Sequence, residues 1–114
     1  MSEDSVVVVL VTTPADHSSQ IASHLVENRL AACVNIIPDI RSVFRWQENI
    51  EEDRECLLVI KTTRQSFEAV SLAVRENHPY TVPEIIALPV VDGYDGYLNW
   101  VRDGVGTKEP KEHQ

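Results

Sequence analysis

Residues 31 to 63 read AACVNIIPDIRSVFRWQENIEEDRECLLVIKTT, and this stretch decides the fold. Two β-rich runs stand back to back in it. The first opens at Ala31-Ala32-Cys33-Val34-Asn35-Ile36-Ile37, breaks at Pro38-Asp39 and resumes from Ile40 to Trp46. Proline has no amide to give to a ladder, so the break predicts a bulge or an edge kink. Gln47-Glu48-Asn49 supplies a tight turn without the Asn-Gly pair that such turns favour. The second run, Ile50 to Thr63, is charged through Glu51-Glu52-Asp53-Arg54-Glu55 and continuously apolar through Cys56-Leu57-Leu58-Val59-Ile60. The result is a long hairpin with an apolar base and a charged tip that reaches past what one small core can cover. Arg41 and Arg45 opposite the acidic strand stabilise it by roughly 0.2–1 kcal/mol per pair. Phe44 and Trp46 beside those charges predict that another chain packs on the arm.

On either side of the hairpin lies a strand–helix pair. Val6-Val7-Val8-Val9-Leu10-Val11 is β-branched and apolar on both faces, as a central strand requires. Thr13-Pro14 then reads as a helix start, with Thr13 as N-cap, Pro14 in the first helical position and Asp16 in the first turn. Ile21/Leu25 and Ala22/Val26 are four apart and share a helix face that ends near Arg29. After the hairpin, Thr62 and Gln65 suggest a capping box for a second helix, with Phe67, Val70 and Val74 on one face up to Asn77. Pro79 must end that helix. Pro83 sets an extended entry to the apolar strand Glu84 to Leu88, and Asp92-Gly93 turns the chain. A short amphipathic helix carrying Tyr97, Leu98, Trp100 and Val101 closes the domain. The order is β-α-β-β-α-β with an appended helix, the α+β arrangement of a ferredoxin-like antiparallel sheet. Two helices then cover one face and leave the other bare in a monomer, a second reason to expect self-association. Residues 1–104 form one domain, and 105–114 read as a disordered tail.

The chain of 114 residues is long enough for one cored domain. Its formal net charge is -8, with ten Lys and Arg. Nucleic acid and anionic membranes are therefore excluded as expected partners, since both need a basic face. No stretch has the length of a membrane span, and the Val6–Val11 run has no basic residue before it as a signal peptide would. A reducing, cytoplasmic setting is expected. Cys33 and Cys56 sit in apolar runs, form no Cys-x-x-Cys pair and read as small buried hydrophobes.

The chemistry concentrates in His78-Pro79-Tyr80-Thr81-Val82-Pro83-Glu84. Two prolines make this corner stiff and hold His78, Tyr80 and Glu84 in a fixed relation. His78 reads equally as a metal ligand with Glu84 or as a structural C-cap on the helix dipole. His17 and His24 are seven apart, too far for a one-turn helical chelate, and His113 falls in the tail. No Gly-x-Ser-x-Gly elbow or phosphate cradle is present, and no enzymatic activity is expected.

Leu30-Ala31-Ala32-Cys33-Val34-Asn35, the Trp46 hairpin tip, Ile60-Lys61-Thr62, His78-Pro79-Tyr80-x-x-Pro83-Glu84 and Tyr97-Leu98-x-Trp100 follow one another in order. Over about residues 5 to 103 this pattern resembles the CutA family of divalent-cation tolerance proteins. The resemblance implies a non-enzymatic homotrimer related in architecture to the PII signalling proteins, with the hairpins reaching across to neighbours through Phe44 and Trp46. It also implies a link to tolerance of copper and other divalent metals, bound weakly at clefts between subunits. Where copper-binding relatives carry a cysteine at the end of the first strand and a second histidine before the Pro-Tyr, this chain has Val11 and Asn77. With no thiolate there, Cu(II) or Zn(II) at His78 and Glu84 is expected rather than Cu(I). Glu48 stands where the family's tip glycine falls. Two further readings follow from the same resemblance: a PII-like sensor with a small metabolite among Lys61, Arg64, Tyr80 and Trp100, or a stable scaffold for a protein partner.

Overall fold

A computed structural model describes residues 2–106. The β-branched N-terminal run becomes β1 (Val6–Thr13), followed by α1 (Ala15–Glu27), β2 (Cys33–Trp46) and β3 (Asn49–Thr63). A 3-10 turn at Arg64–Ser66 leads into α2 (Phe67–Asn77), then β4 (Ile85–Pro89) and α3 (Asp95–Gly104). The four strands form one sheet in the order β2-β3-β1-β4, every neighbouring pair antiparallel. This is the mixed α+β, split β-α-β order expected from the hairpin and its flanks.

The alternation of the strands divides their side chains between two faces. Val7, Val9 and Val11 of β1 and Leu58 and Ile60 of β3 point toward the helices. There they meet Ile21 and Leu25 of α1 and Val70, Ala73 and Val74 of α2 in one buried cluster. Burying a Leu, Ile or Val side chain of this kind stabilises the fold by about 1.5–3 kcal/mol. The opposite face carries Val8, Leu10 and Thr12 of β1, with Leu88 and Ile86 beside them on β4 and Lys61, Val59 and Leu57 beside them on β3. This face is not wholly bare. α3 returns onto its Val8–Lys61–Cys33 end, burying Val101 completely and setting the Tyr97 hydroxyl beside the Cys33 thiol. Ile37, Ile86 and Leu88 remain 42%, 48% and 46% exposed.

Several local expectations need correction. α1 starts one residue later than expected: Pro14 takes the cap position with φ -56° and ψ 149°, and no side chain caps the helix. Thr62 does not cap α2. It is a strand residue opposite Val7, fully buried, and its hydroxyl donates to the Leu30 carbonyl at 2.7 Å. The 3-10 turn intervenes before α2 begins at Phe67. β2 starts at Cys33 rather than Ala31, because the Ala31 amide closes the end of α1 on the Leu25 carbonyl.

That helix end has a Schellman arrangement, with Leu30 N–H bonded to Leu25 O at 2.9 Å and Arg29 N–H to Val26 O at 3.1 Å. Arg29 holds the left-handed position, φ 56°, where glycine is usual. Its guanidinium explains the choice: Nε donates to the Gly106 carbonyl at 2.6 Å and Nη2 to the Asp103 carbonyl at 2.7 Å, tying α1 to the end of α3. Of the expected disordered tail, Val105 and Gly106 are bonded back to Arg102 and Arg29, while 107–114, with His113, lie outside the described residues.

The interruption in β2 is a bulge. Ile37 faces Leu57 while Ile40 faces Glu55, so β2 carries one extra residue, and Asp39 has φ 64°. Beyond it the hairpin arm extends to Trp46, turning through Gln47 and Glu48 at φ 50° and 74°. The arm gives the molecule a long axis of 56 Å against 27 and 22 Å across. Arg41 pairs with Glu52 at 2.8 Å and Arg54 with Asp39 at 2.6 Å, both on exposed surface. Among the described residues no helix is long and apolar enough to cross a membrane.

Candidate functional site

Strand pairing places Phe44 opposite Glu51, Ser42 opposite Asp53 and Ile40 opposite Glu55 on one face of the arm. The His78–Glu84 corner leans over that face. Together they enclose a groove of about 930 Å³, whose walls include Phe44, Trp46 and Tyr80, with Val82 at the rim. Four carboxylates line it, Glu51, Asp53, Glu55 and Glu84, and no Lys, Arg or His does.

Glu55 is the residue the sequence reading missed. Placed in the charged half of β3, it is nonetheless 6% exposed. The Ser42 hydroxyl donates to its Oε1 at 2.7 Å and the Tyr80 hydroxyl to its Oε2 at 3.0 Å. A buried carboxylate needs such donors, and here they clamp the arm to the corner. Burial first, then the hydrogen bond to Glu55 and the charges of Glu55 and Asp53, push the Tyr80 phenol up to about 12. Strand parity places Glu55 on the face of Leu57 and Val59, but Glu51 and Asp53 share that parity and are exposed, so parity alone does not single it out.

His78 supports the corner from behind. It is 9% exposed, its Nε2 donates to the Thr12 carbonyl at 2.7 Å, and its Nδ1 accepts the Tyr80 amide at 3.2 Å. The Tyr80 ring packs against it with centroids 4.7 Å apart. His78 holds the C-cap position of α2, but its ring bonds the Thr12 carbonyl of β1 and the Tyr80 amide rather than the helix's own carbonyls. Glu84 is exposed and lines the groove; His78 is not among the lining residues. Among the described residues no group of three or more His, Cys, Asp or Glu stands close enough to hold a metal ion. One protomer's donors therefore do not fit a closed metal site.

The other expected residues are dispersed. Tyr80, Phe44 and Trp46 share the groove. Lys61 lies mid-sheet on the partly uncovered face, bonded to the Asn35 side-chain carbonyl. Arg64 lines a separate depression of about 650 Å³ with Phe67, Glu68 and the β4 edge. Trp100 stacks on Tyr97 at 5.6 Å on α3, where burial, then the Cys33 thiol, raises the Tyr97 phenol. Lys61, Arg64, Tyr80 and Trp100 thus do not share one cavity within a protomer.

A four-stranded antiparallel sheet backed by two helices, with a projecting hairpin arm, is the scaffold that carries these residues. The model of the CutA1 divalent ion tolerance protein family matches residues 7–104, and the chain belongs to that family. The divalent-cation tolerance protein CutA of Thermus thermophilus is 50% identical over 100 residues, covering 87% of this chain and 97% of the relative. Human protein CutA is 50% identical over 99 residues, covering 86% of this chain and 55% of its own length, so the chain spans about half of that relative. Among solved structures, the Thermus thermophilus Cut A1 protein superposes with a TM-score of 0.87 at 49% identity, covering 89% of this chain and 99% of the other. The PII-like protein CutA from Nostoc gives 0.83 at 28% identity, covering 88% and 97%. The plant relative from Arabidopsis thaliana is called chloroplastic and the Archaeoglobus fulgidus structure periplasmic, so the compartment varies across the family.

Proposed function

We propose that this chain acts as a non-enzymatic homotrimer in the tolerance of divalent metal ions, holding Cu(II) or Zn(II) weakly at clefts between subunits. The observation that carries the reading is the acidic groove: four carboxylates with no basic lining residue attract cations, while the described residues of one protomer hold no closed ligand set. A second copy is then needed to complete the site. Within each copy the donors are Glu84, which is exposed and lines the groove, and His78, which lies behind the corner and reaches a metal only by giving up the 3.2 Å bond of its Nδ1 to the Tyr80 amide. Trimerisation is supported by the half-exposed Phe44 and Trp46, by the apolar patch of Ile37, Ile86 and Leu88, and by the open sheet edges at β2 and β4. Cys33 and Cys56 are unpaired, which suits a reducing, cytoplasmic compartment.

Sedimentation tests the assembly: three times the chain mass is expected, and a stable monomer refutes it. Calorimetric titration with Cu(II) and with Zn(II) tests the site. Saturable binding lost in both Glu84→Gln and His78→Ala supports it; absence of saturable uptake of either metal overturns it.

A PII-like sensor is the second reading, favoured by the PII-like neighbour and by Lys61 on the partly uncovered sheet face. In a trimer, residues apart in one protomer (Lys61, Arg64, Tyr80, Trp100) would meet across a cleft. A thermal-shift hit from a metabolite panel that vanishes in Lys61→Ala supports this reading, and a panel without hits removes it.

A further inference from the structure

Three Asp-Gly pairs follow one another late in the chain: Asp92-Gly93, Asp95-Gly96 and Asp103-Gly104. In such a pair the backbone can react with its own side chain. The glycine nitrogen attacks the aspartate Cγ, the amide proton and the carboxyl hydroxyl leave as water, and a five-membered succinimide closes. Water then opens the ring at either carbonyl. One opening restores aspartate; the other leaves isoaspartate, in which the main chain runs through the β-carbon. Glycine permits this because no Cβ shields its nitrogen and its backbone turns freely. The sequence of steps is redox-neutral and consumes only the water it releases.

Closure needs the glycine nitrogen to swing into line with Cβ about the Cα–C bond, far from the helical ψ of about -42°. Asp95-Gly96 and Asp103-Gly104 are held in α3. Its first turn is bonded through the Tyr97 and Leu98 amides to the Tyr94 carbonyl, and the Tyr94 ring lies against Gly96. At its other end Asp103 gives its carbonyl to Arg29 at 2.7 Å, and Gly104 packs on Ala32. Asp92-Gly93 belongs to neither helix nor strand, and both residues are exposed. The described partner of the Gly93 amide is the neighbouring carboxylate itself, Asp92 Oδ1 at 3.0 Å. The reacting nitrogen thus already lies against the group it attacks, with no helical bond to break. The loop includes none of the arm, patch or strand-edge residues proposed for subunit contact, and closure, being intramolecular, needs no bound partner.

We infer that Asp92 is a spontaneous modification site: it cyclises with Gly93 and opens in part to isoaspartate, while α3 protects Asp95 and Asp103. The change lengthens the connection between β4 and α3 by one backbone carbon. It does so beside a close contact, since even a Cβ on Gly93 would lie 3.2 Å from the Leu98 side chain. The seat of α3 on the sheet is therefore the part of the fold that the modification reaches. None of the residues of the metal reading takes part.

The test is incubation of the full chain, in its native assembly state, in water enriched in the heavy oxygen isotope, followed by digestion in ordinary water and mass spectrometry. Each succinimide opened during the incubation takes up one heavy oxygen. Cleavage after Tyr94, Tyr97 and Trp100 places the three pairs on separate peptides. The expected result is heavy oxygen and isoaspartate at Asp92, with uptake at Asp95 and Asp103 lower by roughly tenfold, the factor that about 1.4 kcal/mol of local helix opening imposes. The same chain held unfolded in guanidinium chloride should label all three pairs alike. Asp92→Glu should remove uptake at that position, because the extra methylene demands a six-membered ring. Gly93→Ala should slow it, the flexible Leu98 side chain making room for the added carbon. The proposal is overturned by equal uptake at the three pairs in the folded chain, by less uptake at Asp92 than at Asp95 or Asp103, or by absence of isoaspartate at Asp92 where the unfolded chain forms it.

Discussion

Replacing Tyr80 with phenylalanine removes one hydroxyl and leaves the ring against His78. The Glu55 carboxylate it serves is 6% exposed and has two described donors, Ser42 at 2.7 Å and Tyr80 at 3.0 Å. A hydrogen bond to a charged group contributes about 1.5–3 kcal/mol. Tyr80 is 38% exposed at the groove mouth, so water partly replaces the lost donor. Tyr80→Phe should therefore cost about 1–1.5 kcal/mol, at or just below the lower end of that range. Ser42→Ala should cost a similar amount. The double variant should cost more than the sum, by at least about 0.5 kcal/mol, because the carboxylate is then buried without either donor. Glu55→Gln in the double background should recover part of the loss by removing the charge. Urea unfolding at fixed protein concentration measures this, since assembly makes the midpoint depend on concentration. With a slope of about 1–3 kcal/mol per molar, the single variant shifts the midpoint by roughly 0.3–1.5 M. A Tyr80→Phe midpoint equal to that of the parent chain, or strict additivity in the double, refutes the clamp.

The raised Tyr80 pKa carries a sign. Between the ordinary tyrosine value near 10 and about 12 the unfolded chain loses a proton that the folded chain keeps, so stability should fall as pH rises through that window; Tyr80→Phe should flatten the fall, and an identical alkaline profile in both chains contradicts the assignment. Leu58→Ala, at a fully buried position opposite Val11, should lose about 2–5 kcal/mol in chemical denaturation, and a loss below 1 would mean that the site collapses around the gap. Arg29→Ala should speed amide hydrogen exchange at Val105 and Gly106 while leaving β1 and β3 protected; unchanged exchange would show that the two carbonyl bonds do not hold the end of α3. Phe44→Glu with Trp46→Glu should shift sedimentation toward monomer without loss of far-ultraviolet helix signal, and a mass unchanged at micromolar concentration removes the arm from the interface.

The hairpin was legible because its two runs are long and their composition changes where the core ends. β1, α2 and β4 were legible from apolar period and from Pro79 and Pro83. What failed was local capping chemistry. Thr13-Pro14 and Thr62-x-x-Gln65 have the residues of helix starts, but tertiary contact decides: Thr62 serves the strand ladder and the Leu30 carbonyl instead. The rigid corner was legible as rigid, whereas one of the two partners of His78, the Thr12 carbonyl, lies 66 residues away, and no local pattern encodes that pairing. Glu55 was hidden for a related reason. Four acidic residues in a run of five look solvated, and only the pairing with Ser42 and the fold-back of Tyr80 separate one from the rest.

The extra residue at Pro38-Asp39 has a consequence for how this arm can change. Before it, Cys33, Asn35 and Ile37 share the face of Lys61, Val59 and Leu57; after it, that face passes to Ile40, Ser42 and Phe44. Odd positions hand over to even ones. Deleting either Pro38 or Asp39 would restore one-to-one pairing: Ile40 would still face Glu55, and Ser42, Phe44 and Trp46 would keep their side, only the local bend being lost. A residue inserted between Ile40 and Trp46 would instead turn the arm over, so the bulge is a point where β2 can lose a residue without exchanging its faces.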